Sequence, residues 1–199
     1  TIRVHPVTDP PVGVPAITGT VTEDQLLTAD TSGISDADGL GAFSYQWYRD
    51  GVVIGGATGT TYTLGDADVG TQISVQVSYT DLQGTNESVI SAQTAAVANV
   101  NDAPTGSVTI SGTPTEDQVL TASNTLADAD GMGAISYQWY RDGVAIGGAT
   151  ASTYTLGDAD VGANITVTAS YTDGQGTNES VTSAGVGPIA NINDAPVGV

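Results

Sequence analysis

An all-β chain of two tandem sandwich domains is the fold class that this sequence predicts, and three observations predict it. The segment SYQWYRDGV begins at Ser44 and recurs at Ser136, a shift of 92 residues, so the chain is an internal duplication. Its apolar residues are mainly Val, Ile, Leu, Ala and Tyr, alternating with Thr and Ser and interrupted by 26 Gly and 8 Pro at turn-like spacing, the pattern of short half-buried strands. Finally, 199 residues with one Phe and two Trp supply two small cores, each seeded by a single tryptophan.

The duplication sets the domain borders. TYTLGDADVG starts at Thr61 and again at Thr153, and GTNESV at Gly84 and Gly176, both with the same shift of 92. TEDQ at Thr22 and Thr115 is offset by 93, so one residue is lost before the second DADG. Proline-containing junctions, TDPPVG near Thr8, NDAPTG at Asn101 and NDAPVG at Asn193, force an extended and stiff backbone. The organisation expected is a linker over 1–11, repeats over 12–101 and 102–193, and the start of a further linker over 194–199.

Within the second repeat, alternation and turn residues place strands at 107–110, 119–122, 134–140, 144–146, 153–156, 164–171 and 180–189. Asp142-Gly143 is the two-residue hairpin turn joining the third strand to the fourth. Ile135, Tyr137 and Trp139 share one parity, which turns Trp139 into the core and Tyr140 outward.

Charge excludes several functions. Against 22 Asp and Glu stand only Arg3, Arg49 and Arg141, with no Lys, for a net charge of −19. Nucleic acid and anionic lipid both need a basic surface, so neither is an expected partner. No Cys is present to form disulfides, and without Lys no lysine–asparagine isopeptide crosslink can form. No apolar run approaches the roughly 20 residues of a membrane span, and no signal-peptide pattern follows Thr1, so the sequence reads as an internal fragment. His5 is the sole histidine; a Ser-His-Asp triad would have to draw on a terminal linker and could occur only once in two repeats. No enzymatic activity, and no small-molecule substrate, is expected.

YQWYRDG followed by YTLGDADVG resembles the third strand and a later turn of immunoglobulin-like domains, with Trp47 and Trp139 at the position of that fold's core tryptophan and without its cysteine pair or an evident tyrosine corner. The two copies with NDAP junctions resemble the immunoglobulin-like and cadherin-like repeats of giant bacterial surface adhesins, including those of the RTX type. That resemblance covers nearly all of the chain and implies a monomeric, extracellular array in which each repeat's partners are its neighbours.

In a sandwich of this strand order, successive loops alternate between two poles. TED and GDAD then fall at the pole where the chain leaves a repeat, DADG and YTD at the pole where it enters. All but five of the 22 acidic residues, the exceptions being Asp30, Asp50, Glu87, Asp142 and Glu179, lie at poles or in linkers. Around the central junction the sequence collects Glu23, Asp66 and Asp68 from the first repeat, Asn99, Asn101 and Asp102 from the linker, and Asp128, Asp130 and Asp173 from the second. The outer ends repeat the pattern, with Asp9, Asp36, Asp38 and Asp81 at one and Glu116, Asp158, Asn191, Asn193 and Asp194 at the other. Two carboxylates about 5 Å apart repel by roughly 3 kcal/mol at an effective dielectric near 20, so such clusters call for a counter-charge. Oxygen ligands without His or Cys select Ca²⁺. The arrangement also resembles the cadherin calcium junction: Glu23 takes the early Glu position, Asp66 and Asp68 the acidic pair, NVNDAP the linker, Asp128 and Asp130 the DxD, and Asp173 the last Asp. Asn99 stands where that linker has Asp, which implies fewer ions.

Other readings stand beside these. DADG is also an ordinary acidic turn, Asp68 and Asp160 could simply cap backbone amides, and Asp24 and Asp117 suit exposed turn positions. Asn86, Asn164 and Asn178 open glycosylation sequons, which the turn between the last two strands also explains. Two further classes compete with a calcium-stiffened spacer: a carbohydrate- or protein-binding module whose Tyr48 and Tyr140 stack on polysaccharide, and an acidic surface adapted to high salt.

Overall fold

The computed structural model describes residues 8–193, and the chain divides into two compact units with the boundary between Val100 and Asn101. Each unit is an immunoglobulin-like β-sandwich. Among the described residues, no helix is long and apolar enough to cross a membrane.

In the first unit, β1 (Ala16–Thr18), β2 (Leu26–Asp30) and β5 (Thr61–Thr63) form a three-stranded sheet in the order β1-β2-β5. The facing sheet has the order β4-β3-β6-β7, from β3 (Ser44–Arg49), β4 (Val52–Val53), β6 (Ile73–Thr80) and β7 (Asn86–Ile90). All pairings are antiparallel. The second unit repeats this with β8 (Val108–Ser111), β9 (Val119–Asn124) and β12 (Thr153–Thr155) against β10 (Ser136–Arg141), β11 (Val144–Ala145), β13 (Ile165–Thr172) and β14 (Asn178–Thr182).

Alternation puts every second residue of the long strands between the sheets. Leu27, Trp47, Leu64, Ile73 and Val75 pack in the first unit, and Leu120, Trp139, Leu156, Ile165 and Val167 in the second. Both tryptophans are fully buried, as the parity of the third strand predicts. Each indole N–H is satisfied by a backbone carbonyl, Gly59 for Trp47 and Ala151 for Trp139, both at 2.9 Å, and each ring packs on a tyrosine 5.7 Å away, Tyr62 or Tyr154. The Asp-Gly turns have positive φ at both residues, 44° and 78° at Asp50 and Gly51, 45° and 80° at Asp142 and Gly143, the geometry of a tight hairpin.

The last strand differs from expectation. Instead of running over 180–189, β14 ends at Thr182, because the Val167 N–H donates to the Ser183 hydroxyl at 3.1 Å and not to the next carbonyl of a regular ladder. Val75 and Ser91 do the same in the first unit at 3.0 Å. Beyond the break Val186 pairs with Ile165, and Ile189 makes a parallel bridge to Val161; Pro188, which has no N–H, cannot continue a ladder. The chain thereby leaves the unit alongside its TED and GDAD loops, with parallel bridges Thr22–Ala98 and Val69–Val97 in the first unit and Thr115–Ala190 in the second.

Candidate functional site

The pole at which the chain enters each unit is built by the DADG loop, the turn after β6 or β13, and the incoming linker. In the first unit, Asp36 bends its own loop by accepting the Asp38 N–H at 2.8 Å, an Asx turn, and its other oxygen accepts the Tyr79 hydroxyl at 2.6 Å. Tyr79 is buried; that burial, with the hydrogen bond to Asp36 next, pushes its hydroxyl well above the usual tyrosine range, so it remains a donor. Asp38 accepts the Asp9 N–H at 2.7 Å, which pins the linker to the loop. In the second unit, Asp128 accepts from Asp130 N–H and Tyr171 hydroxyl, and Asp130 accepts the Asp102 N–H at 2.7 Å. Asn101 adds a side-chain hydrogen bond to Glu179 at 2.9 Å.

Asp81 and Asp173 complete this pole. Each is buried, at 4% and 7% exposure. One oxygen holds the following turn closed, Asp81 Oδ1 accepting Gln83 N–H at 2.9 Å and Thr85 N–H at 2.7 Å, and Asp173 Oδ1 accepting Gln175 and Thr177 at the same two distances. The other oxygen, Oδ2, is buried with no hydrogen-bond donor among the described residues. Burial by itself would raise the Asp173 carboxyl, but the amides of Thr177, Gln175 and Gly176 together hold it below the ordinary aspartate value. It is therefore an anion with one oxygen unspent.

At the opposite pole, Glu23 and Glu116 are almost fully buried. Glu23 Oε2 accepts the Val100 N–H at 3.1 Å, and Glu116 Oε2 accepts the Ile192 N–H at 3.0 Å, so each glutamate ties down the departing chain. Asn99 presents a buried Oδ1 with no donor among the described residues. Asp66 and Asp158 are exposed on the GDAD turn. Asn191 is exposed and donates to the Ile192 carbonyl at 3.0 Å, and Asn193 is exposed. Asp194 lies outside the described residues. Among the described residues of either unit taken by itself, no three carboxylates bring one oxygen each within 4.8 Å of one another.

Asp68 requires a correction to the ligand set. It is 1% exposed, and both oxygens are engaged inside the protein: Oδ1 by Arg49 Nε at 2.7 Å, Oδ2 by the Tyr62 hydroxyl at 2.8 Å and the Gly65 N–H at 3.0 Å. Asp160 is held identically by Arg141, Tyr154 and Gly157. A carboxylate saturated by a guanidinium, a phenol and an amide has no role left as a cation ligand. Two of the three basic residues of the chain recur at one position of the repeat, Arg49 and Arg141, and that recurrence was the available signal of a recurrent acidic partner.

The Asp160 pair gives a pH prediction. Burial tends to raise its carboxyl, but the Gly157 amide, Arg141 and Tyr154 outweigh it and lower the pKa. A depressed folded pKa contributes stability above the unfolded aspartate value of about 3.9, and loses it as pH falls through the folded value. The second unit is expected to keep its melting temperature from pH 7 to about 5 and to lose it progressively below about pH 4; Asp160→Asn should flatten that acid limb, as read by circular dichroism.

No protein-family model matches the chain, and comparison with curated proteins gives no match. Among solved structures 23 chains match. One is the three N-terminal domains of the bacteriophage RB49 Highly Immunogenic Outer Capsid protein (Hoc), at 17% identity and a TM-score of 0.31, covering 86% of this chain and 58% of that one, so the chain spans less than two thirds of that structure's length.

Proposed function

We propose that the chain is a pair of structural spacer repeats, stiffened by Ca²⁺, from a large bacterial surface adhesin of the RTX type, holding an adhesive region away from the cell. In this reading the protein is extracellular, catalyses nothing, and has neighbouring repeats as its partners. The observation that carries the proposal is the buried, donorless carboxylate oxygen of Asp81, repeated at Asp173. A buried anionic oxygen is costly unless a proton donor or a cation meets it, and the chain has almost no basic residues left to serve.

The donor set fits a hard cation. Asp9, Asp36, Asp38 and Asp81 would supply it in the first unit, with Asp102, Asp128, Asp130 and Asp173 in the second; Glu23, Asp66 and Asn99, and Glu116, Asp158 and Asn191, would serve where the chain departs. All are oxygen donors of mixed carboxylate and amide type, suited to the six-to-eight-fold coordination of Ca²⁺. Bound Ca²⁺ would offset the mutual repulsion of these carboxylates. The residues themselves shape the loops through Tyr79 and Tyr171 and hold the linkers through Asp38 and Asp130.

At a calcium concentration a hundredfold above Kd, each site should add about 2.7 kcal/mol of stability. Melting at constant ionic strength should therefore occur clearly higher in calcium than in EDTA, and Asp173→Asn should reduce that difference while changing the EDTA melt little. Equal melts in both conditions would refute the calcium reading. The spacer role is checked by small-angle scattering, which should report fewer conformations in calcium than in chelator; equal flexibility would leave the ions as loop staples only.

A further inference from the structure

The outer face of the four-stranded sheet carries a second feature that the spacer function does not use. In register across β3, β6 and β7, Ser44 pairs with Ser78 and Ser78 with Ser88, while Thr80 pairs with Asn86 one row further. These side chains share the parity opposite to the core, and a groove of about 370 Å³ runs over them, bounded by Tyr79 and Glu87. The second unit has the same groove, of about 420 Å³, over Ser136, Ser170, Ser180, Thr172 and Asn178, bounded by Tyr171 and Glu179. There it meets a further hollow through Ser180 that leads to Tyr140.

The groove's hydrogen-bonding groups are arranged and partly unspent. Thr80 donates to Asn86 Oδ1 at 2.8 Å, and Thr172 to Asn178 Oδ1 at 2.8 Å. Each amide is thereby oriented with both Nδ2 hydrogens available. Ser44 and Ser136 donate to the carbonyls of Ser78 and Ser170, both at 3.1 Å, so their oxygens still accept. The hydroxyls follow neighbouring strands at about 4.8 Å intervals, a spacing on the scale of one pyranose ring. All eight lining residues are the same in both units, although most of them face solvent. In the next row of the same face Gln76 and Ile90 have become Thr168 and Thr182, so this outer face does diverge between the two units.

The geometry points to a binding site for a neutral polysaccharide, one in each unit. Oriented amide donors and hydroxyls that both donate and accept match vicinal sugar hydroxyls. The net charge of −19 selects against polymers bearing carboxylate or sulfate. Two equivalent sites on one chain would act together on a repeating polymer, so weak single-site affinity becomes measurable retention.

Affinity electrophoresis tests this in native gels cast with hydroxyethyl cellulose, dextran or mannan as neutral polymers and alginate as the anionic one. The unmodified chain should be retarded by at least one neutral polymer and not by alginate. The double variant Asn86→Ala, Asn178→Ala alters exposed positions and should lose about tenfold in apparent affinity, with an unchanged melting temperature. Filling the groove instead with Ser88→Gln and Ser180→Gln should have the same effect, which separates loss of the site from loss of one amide. Retardation by none of the neutral polymers, by alginate equally, or undiminished in both double variants would overturn the assignment. Because the gels contain EDTA, this outcome is independent of the calcium reading.

Discussion

Replacing Trp139 by alanine is expected to unfold the second unit at a temperature where the first stays folded. The indole is fully buried, donates to the Ala151 carbonyl and packs on Tyr154. Truncation leaves a large cavity and an unsatisfied carbonyl, a loss of about 3–5 kcal/mol. A domain of this size has roughly 5–10 kcal/mol in total, so the change removes much of it. Because the two units have separate cores, calorimetry should resolve a lowered transition for the altered unit and a retained one for its neighbour. Trp47→Ala should produce the mirror result. A single transition at the original temperature would mean that the tryptophan does not anchor the core.

The second large effect is expected at the internal ion pair. Arg141→Met keeps most of the aliphatic packing but leaves the Asp160 carboxylate buried beside Tyr154 and Gly157 without its cation. Breaking a pair from the exposed partner's side should destabilise the second unit by about 3 kcal/mol, somewhat less than for a wholly enclosed pair because Arg141 is 32% exposed. The combined Arg141→Met, Asp160→Asn variant should recover part of that loss, since no buried charge then remains. Urea denaturation of the single and double variants measures the coupling directly; additive losses would show that the two residues stabilise the unit separately. The same series at Arg49 and Asp68 should behave alike, given the matching 2.7 Å contacts.

The amino-acid sequence alone determined the duplication, the all-β class, the order of strands, the inward turn of Trp47 and Trp139 and the Asp-Gly hairpins. Each of these is written in a short window: alternation of apolar residues sets which face is buried, and turn residues with special backbone preferences set where a strand stops. The tertiary structure decided which carboxylates are already satisfied. Asp66 and Asp68 stand two positions apart in the same turn, yet one faces solvent and the other is enclosed by Arg49, 19 residues away, and by Tyr62. Asp36 and Asp81 look like equivalent turn aspartates in sequence, but the first is met by a tyrosine from a strand 43 residues on and the second keeps a buried oxygen without a donor. The break in the last strand depends likewise on Ser91 and Ser183 reaching an amide 16 residues back. Such choices rest on which side chains distant strands bring together, and a low-dielectric interior makes each of them matter energetically, whereas no local pattern of residues encodes them.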